Sequence, residues 1–316
     1  MKALPILISL ALLSGCTTTK NSPEYSAIKP DKIASFYDYQ LASPTGESIS
    51  LNTLPESILN ADVILVGEWH THAGIHRFQT DLLKELINNN PDTALSMEQF
   101  TRDKQSVVDD YLASQIGEQI LIKQGGAWPN YESDYRPLVE LAKDSDIDII
   151  ASNAPKSIVR CIGRQGVGYL DKLDEQERSR VATTIDTSNS PYKEKFMASM
   201  HHGDIEQTKK QYAAQLAWDA TMAESIVDYM AAHPDSQVMH IAGKFHTEQA
   251  LGTATQIQQL NPNLSIVVIT PVSDIASASE DYQLEVLPPP ERYIKSENRM
   301  KAYKNLKMRN DSLVCK

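Results

Sequence analysis

Apolar residues fall along this chain in two rhythms. Five short stretches, residues 63–66, 94–97, 147–151, 237–241 and 265–270, are almost continuously apolar. That density over that length predicts strands buried on both faces. Elsewhere apolar side chains return every three or four positions, as on the inward face of a helix. Ile75, Phe78, Leu82 and Leu86 form one such face before a stop at Asn88-Asn89-Asn90-Pro91. Leu138, Val139 and Ala142 form a second, and Leu251, Ala254 and Ile257 a third that ends at Asn261-Pro262. Strands alternating with helices predict an α/β fold, with a mostly parallel central sheet and flanking helices. Residues 37–41 and 48–51, parted by Pro44-Thr45-Gly46, predict a short hairpin capping a sheet edge.

The interval between the third and fourth predicted strands is far longer than one crossover helix requires. Pro155 suits a helix N1 position, residues 173–183 are charged and helix-permissive, and Tyr212, Leu216, Ala223 and Ile226 keep a helical period. A large helical insertion, about residues 155–235, is therefore expected as a lid over one end of the sheet, within an α/β domain spanning 34–290.

The N-terminus follows a different pattern. Lys2 precedes an apolar stretch and then Leu13-Ser14-Gly15-Cys16, which together have the parts of a secretory signal and resemble the bacterial lipobox. The expectation is a lipoprotein signal peptide over 1–15, acyl chains such as palmitate attached at Cys16, and a polar tether over 16–33. Thr17, where Asp would retain a lipoprotein at the inner membrane by resemblance to enterobacterial sorting, points to the outer membrane of a bacterial cell envelope.

Charge narrows the partners. With 30 Lys+Arg against 41 Asp+Glu the formal charge is −11, which argues against nucleic acid as a partner. The charge is unevenly spread, since residues 291–316 carry eight basic and three acidic side chains, net +5, against −16 for the rest. This basic C-terminal tail reads as a solvated helix or tail, with a lipid surface or an acidic partner as alternatives. Three cysteines are too few for a disulfide framework or a four-cysteine zinc site. With Cys16 lipidated, Cys161 and Cys315 remain as a pair that an oxidising compartment allows to bond, and spacing alone does not decide whether they meet.

In an open α/β sheet, ligands bind beyond the carboxyl ends of the strands. Gly67-Glu68-Trp69-His70 follows the first predicted strand, Glu98-Gln99 the second, Ser152-Asn153 the third and Gly243-Lys244-Phe245-His246 the fourth. Two Gly-x-x-His tetrapeptides and an acid thus converge on one rim. Glu68, His70, Glu98 and His246 are the candidate catalytic cluster, and Glu68, His70 and His246 the candidate ligands for a divalent metal. The competing assignment pairs Glu68 and Glu98 with Arg77, Arg136 or Lys244 and leaves the histidines to cap helices. His72 and His76 are expected in surface or capping roles.

These tetrapeptides occur with His76-Arg77-Phe78-Gln79, Met97-Glu98-Gln99-Phe100, Tyr135-Arg136-Pro137-Leu138, Asn153-Ala154-Pro155 and Trp218-Asp219-Ala220-Thr221-Met222-Ala223. In that order they resemble the ChaN-like haem-binding lipoproteins, and the likeness runs over residues 34–270. That family shares a superfamily with the Tiki/TraB proteases and the erythromycin esterases. The resemblance implies an α/β domain with a helical lid, haem as cofactor, a role in iron or haem acquisition, and an outer-membrane haem or iron transport system as partner. This chain departs from the family at Thr71, at Ile75-His76 and at Lys244-Phe245, where the lysine brings a charge near the site.

Haem requires an axial ligand, an apolar slot and cations for its propionates. The insertion offers Tyr192, His201, His202 and Tyr212 as candidate ligands, with Phe196, Met197 and Met200 nearby and Lys193, Lys195, Lys209 and Lys210 around them. The competing reading of these residues is core packing with solvated lysines. The function expected is an envelope-anchored haem-binding lipoprotein that stores haem or hands it over, with a homodimer sandwiching the ligand as its assembled form. The alternative is an ester or amide hydrolase working through the Glu/His cluster, with or without a metal. The chain carries neither a nucleophile elbow nor a His-Glu-x-x-His helix.

Overall fold

A computed structural model describes residues 33–200, 204–310 and 313–316. The predicted hairpin forms from β1 (Gln40–Ala42) and β2 (Ser48–Ile49), paired antiparallel with Leu41 opposite Ile49. Its turn passes through Gly46 at φ +86°, where an L side chain would be strained. The five apolar runs become β3 (Val63–Glu68), β4 (Thr93–Thr101), β5 (Ile149–Asn153), β6 (Gln237–Gly243) and β7 (Ile266–Val272). One further strand, β8 (Tyr282–Glu285), had no counterpart in the sequence pattern. It holds four residues, too few for a periodic signal. The sheet runs β2-β1-β8-β7-β3-β6-β4-β5, parallel from β8 to β5 and antiparallel at β1.

The helices that matter here are α1 (Ala73–Asn89), α2 (Gln105–Leu112), α3 (Arg136–Asp144), α4 (Lys156–Gln165), α5 (Pro191–Ser199), α6 (Ile205–Ala232), α7 (Thr253–Leu260) and α8 (Ser296–Asn310). Strand alternation sorts the core into two layers. Ile64, Val66, Met97 and Ile241 face Phe78, Leu82, Leu138 and Val139 of α1 and α3. Val63, Leu65 and Val238 face Ala223, Ile226 and Met230 of α6 and Ala254 and Ile257 of α7. Full burial of each Leu, Ile or Val side chain contributes on the order of 2 kcal/mol.

α6 joins the insertion to the body. Its C-terminal half packs on the sheet, while Tyr212, Ala213, Leu216 and Ala217 in its first half pack with α4 and α5. Asp204 caps its start by accepting from the Gln207 N–H at 2.9 Å. The insertion is less helical than its composition predicts between 173 and 183. Only Glu175–Arg178 is helical there, started by an Asp174/Glu177 capping box, and the chain then extends so that Val181 and Ala182 are buried.

The chain's end returns to the insertion. Cys315 is bonded to Cys161 on α4, and Leu313 packs into the same cluster. Gln165 and Lys172 donate to the Lys316 carbonyl, each at 3.2 Å, and the Lys316 ammonium pairs with Asp174 and Glu177. Lys32–Lys316 form one compact unit. Among the described residues no helix is long and apolar enough to cross a membrane. Cys16, the predicted signal and the predicted tether up to residue 32 lie outside the described residues.

Candidate functional site

Strand register delivers the rim residues. β3 and β6 are parallel neighbours, with Glu68 opposite Gly243. β4 follows β6 as far as Met97, and its register against β5 then shifts before Thr101. Such an irregularity re-aims side chains, and the Glu98 carboxylate accepts a 2.7 Å bond from the Gly243 N–H. A Cβ on Gly243 would stand 2.8 Å from His70 Cε1 and 2.9 Å from Nε2, so this close approach needs glycine.

Glu68 is the hub of one half of the site. Its Oε1 accepts from His70 Nδ1 at 2.8 Å, the Tyr135 hydroxyl at 2.6 Å and Gln99 Nε2 at 3.1 Å, and its Oε2 accepts from Gln79 Nε2 at 2.9 Å. Burial opposes the charge on Glu68, but the His70 hydrogen bond and the neighbouring His76 and His70 rings hold its pKa below the usual range. Burial likewise opposes a proton on His70. The Glu68 hydrogen bond and the charges of Glu98 and Glu68 outweigh it and raise the His70 pKa. Tyr135 is held protonated, first by burial and then by the Glu68 charge.

His246 centres the other half. Its Nδ1 is 2.9 Å from Asp219 Oδ1 on α6, and its Nε2 is 3.8 Å from Glu98 Oε1. Burial disfavours the charged ring, but Asp219 and Glu98 prevail and push its pKa up to about 9. Asp219 is completely buried and also accepts from Tyr192 and Thr253. Gln215 Nε2 lies 3.1 Å from the Tyr192 hydroxyl and within 3.3 Å of the His246 ring. Two His–carboxylate pairs therefore stand on either side of Glu98.

The four rim residues singled out from sequence are thus brought together, and the competing cation pairing is overturned. Arg77 pairs with Asp81, Arg136 with Glu118 and Glu132, and Lys244 with Glu248 while donating to the Pro271 carbonyl. His72 and His76 are buried, not surface residues: His72 Nε2 reaches the Leu287 carbonyl at 2.9 Å, and His76 donates to Gln79 and lies 3.7 Å from Glu68. His72 occupies the N-cap position of α1 without a side-chain cap bond. Among the described residues no group of three His, Cys, Asp or Glu side chains is placed to hold a metal ion. The oxygens of Glu68 already accept from four donors, and His246 Nδ1 is paired with Asp219.

Tyr192 and Tyr212 lie in a buried cluster with Phe196 and Leu216. Tyr192 donates to Asp219 at 2.7 Å, and burial raises both phenol pKa values, so both hydroxyls stay protonated. His201 and His202 lie outside the described residues. Asp219, Gln215, Gln79, Gln99 and Tyr135 were not singled out for roles from sequence. Asp219 carried a usable signal, since it is an acid on the helix stripe otherwise made by Leu216, Ala220 and Ala223.

A cleft of about 700 Å³ opens over this rim. Phe36, Trp69, Phe245, Pro289 and Pro290 wall it, His70 and His246 reach it from below, and Lys244 and Arg292 bring cations. The His70 side chain is 44% exposed and the His246 side chain 9%, so His70 is the ring a ligand meets first. An imidazole whose Nδ1–H is held by a carboxylate presents Nε2 as a ligand of fixed orientation. Imidazole, aromatic walls and cations are the chemistry that fits haem.

Residues 54–257 match the family described as haem-binding uptake, Tiki superfamily, ChaN. A solved structure described as cofacial haem binding to ChaN of Campylobacter jejuni shares the fold, with TM-score 0.62 and 19% identity over 78% of this chain and 96% of that one. Erythromycin esterase EreC is more distant, with TM-score 0.43 and 13% identity over 84% and 87% of the two chains. The chloroplastic protein RETICULATA-RELATED 5 of Arabidopsis thaliana is 21% identical over 233 residues, 68% of this chain. This chain spans about a third of that curated relative, 31% of its length.

Proposed function

This chain belongs to the ChaN haem-binding uptake family of the Tiki superfamily, and from that premise we propose that it binds haem in the rim cleft as an envelope-anchored lipoprotein that holds haem for acquisition or hand-over. The observation that carries this reading is the Glu68–His70 pair beneath aromatic and proline walls. His70 would hold the iron, with Glu68 fixing its tautomer, and Arg292 would serve a propionate at the cleft border. The haem supplies the iron as cargo. Tyr192 and Tyr212 are not part of this ligand set, because their hydroxyls are used inside the insertion. A dimer pressing two rims together is the form that would enclose the haem most fully.

Titration of the non-lipidated chain from residue 17 with ferric haem tests the reading. A saturable Soret shift is expected, weakened by more than about 100-fold in His70→Ala, which removes the ligand and not only its supporting partner. No shift in the wild type defeats haem binding, and an unchanged His70→Ala moves the ligand elsewhere. Light scattering with and without haem reports the dimer.

A second reading, ester or amide hydrolysis, draws on the two His–carboxylate pairs flanking Glu98. In it His246, protonated at neutral pH, would donate rather than accept a proton. Turnover that survives both His70→Ala and His246→Ala would exclude this site.

A further inference from the structure

An irregular stretch links the short helix Glu118–Gln124 to α3. It runs through Trp128-Pro129-Asn130 into a single π-helical turn, Tyr131–Tyr135, of a kind that recurs beside functional sites. Three of its side chains converge on one rim residue, His70. The Asn130 amide donates to the His70 carbonyl at 2.7 Å and to Asp134 Oδ2 at 2.7 Å, which uses both its protons. The Tyr135 hydroxyl, bonded to Glu68 at 2.6 Å, lies 3.3 Å from the same carbonyl, and His76 Nε2 reaches it at 3.2 Å. The third side chain, Trp128, meets the imidazole itself. Their rings stand edge to face, with centroids 5.0 Å apart and planes at 73°.

Trp128 also lies edge to face with the Tyr135 ring, at 6.1 Å and 89°. One indole therefore leans on both of the rings that donate to Glu68 Oε1. Its own place is firm, since it packs half-buried against the main core cluster. The His70 side chain, by contrast, is 44% exposed, and a half-exposed side chain past a strand end ordinarily visits several rotamers. The bond from Nδ1 to Glu68 fixes one atom of the ring and leaves it free to swing about that bond. An aromatic ring against its side and a pinned carbonyl behind it remove the swing.

We propose that Trp128 and Asn130 are positioning residues of the rim site, Trp128 fixing the plane of the His70 ring and Asn130 its backbone, so that the imidazole is oriented before any ligand arrives. Orientation in advance spares a ligand the entropy of ordering the group that receives it. That Nε2 then meets the iron of haem rests on the function proposed above. That Trp128 and Asn130 hold the ring does not.

The test takes the non-lipidated chain from residue 17, first without ligand, and follows the imidazole N–H protons by NMR. The wild type is expected to show a protected His70 Nδ1–H, assigned by its disappearance in His70→Ala. In Trp128→Leu that proton should exchange with water about ten-fold faster, and Trp128→Phe, which keeps an aromatic ring there, should restore much of the protection. Asn130→Ala, at a half-buried position, should quicken the same exchange several-fold and carries the test if Trp128→Leu does not fold. A wild-type ring without a protected Nδ1–H overturns the proposal. So does wild-type protection in Trp128→Leu, even with a lowered melting temperature, because Trp128 is then packing alone. Protection lost equally in Trp128→Phe has the same meaning, and wild-type exchange in Asn130→Ala removes Asn130 from the assignment. Ferric haem is added second, and Trp128→Leu should bind it about ten-fold more weakly. A wild type that binds no haem defeats the haem reading and leaves the ligand-free result to decide this one.

Discussion

Glu68 Oε1 and His70 Nδ1 stand 2.8 Å apart across a two-residue step at the end of β3. A carboxylate buried in the sheet thereby decides which nitrogen of a solvent-reached ring carries the proton. Glu68→Gln keeps the shape and replaces the acceptor-only group that four donors now share. Stability should fall by about 3 kcal/mol, read by denaturant unfolding, and haem affinity roughly 10- to 100-fold. Wild-type haem affinity in this variant would mean that something other than Glu68 orients the ring.

Two buried histidines should shape stability from opposite sides of neutrality. His246 has its pKa raised from 6.5 to about 9, so the folded chain holds a proton that the unfolded chain releases between those values. Its contribution, on the order of 3 kcal/mol, is complete below pH 6.5 and lost as pH rises through 9. His240, buried against Ser96, has its pKa pushed down to about 3 by burial, so the unfolded chain takes up the proton first as pH falls below 6.5. Unfolding free energy should therefore decline on both sides of neutrality, and His246→Asn should flatten the alkaline limb. An alkaline limb unchanged in that variant would assign it to other groups.

The Cys161–Cys315 bond closes a loop spanning 154 residues. Cys161→Ser/Cys315→Ser, or reduction of the wild type, should cost about 2–4 kcal/mol, measured as the same drop in melting temperature by either route. Two free thiols by mass spectrometry in unreduced protein would contradict the pairing.

β5 is the outermost strand, and Gln105 closes its open edge. The Gln105 amide donates to the Ile149 carbonyl at 2.7 Å and accepts from the Ala151 N–H at 2.7 Å, standing in for a neighbouring strand. Gln105→Ala should cost about 1–2 kcal/mol and expose an edge that pairs between molecules. Light scattering after mild heating, compared with the wild type, shows whether self-association rises.

Much of this fold was legible because parallel strands buried on both faces leave unbroken apolar runs, as in Val63-Ile64-Leu65-Val66. β8 escaped because its place is set by β1 and β7 on either side rather than by its own pattern. Residues 173–183 looked helical from charge alone, but burial of Val181 and Ala182 against the insertion decided otherwise. At the site, Glu68, His70, Glu98 and His246 could be found because strand ends locate ligands. Gln79, Gln99 and Tyr135 stood in the family motifs without a role, because only tertiary packing turns them toward Glu68.

The position of β8 has a consequence for how the chain folds. β1 lies near the start of the domain, yet it joins the main sheet only through β8, with Leu41 opposite Leu284. Pairing partners so far apart in sequence carry a heavy loop-closure cost and form late. A chain in which β8 has not docked is left with β7 unpaired on one side and a stranded hairpin, both open to chaperones and proteases. Docking of the last strand closes the sheet, and the Cys315–Cys161 bond then fixes the segment beyond it to the insertion.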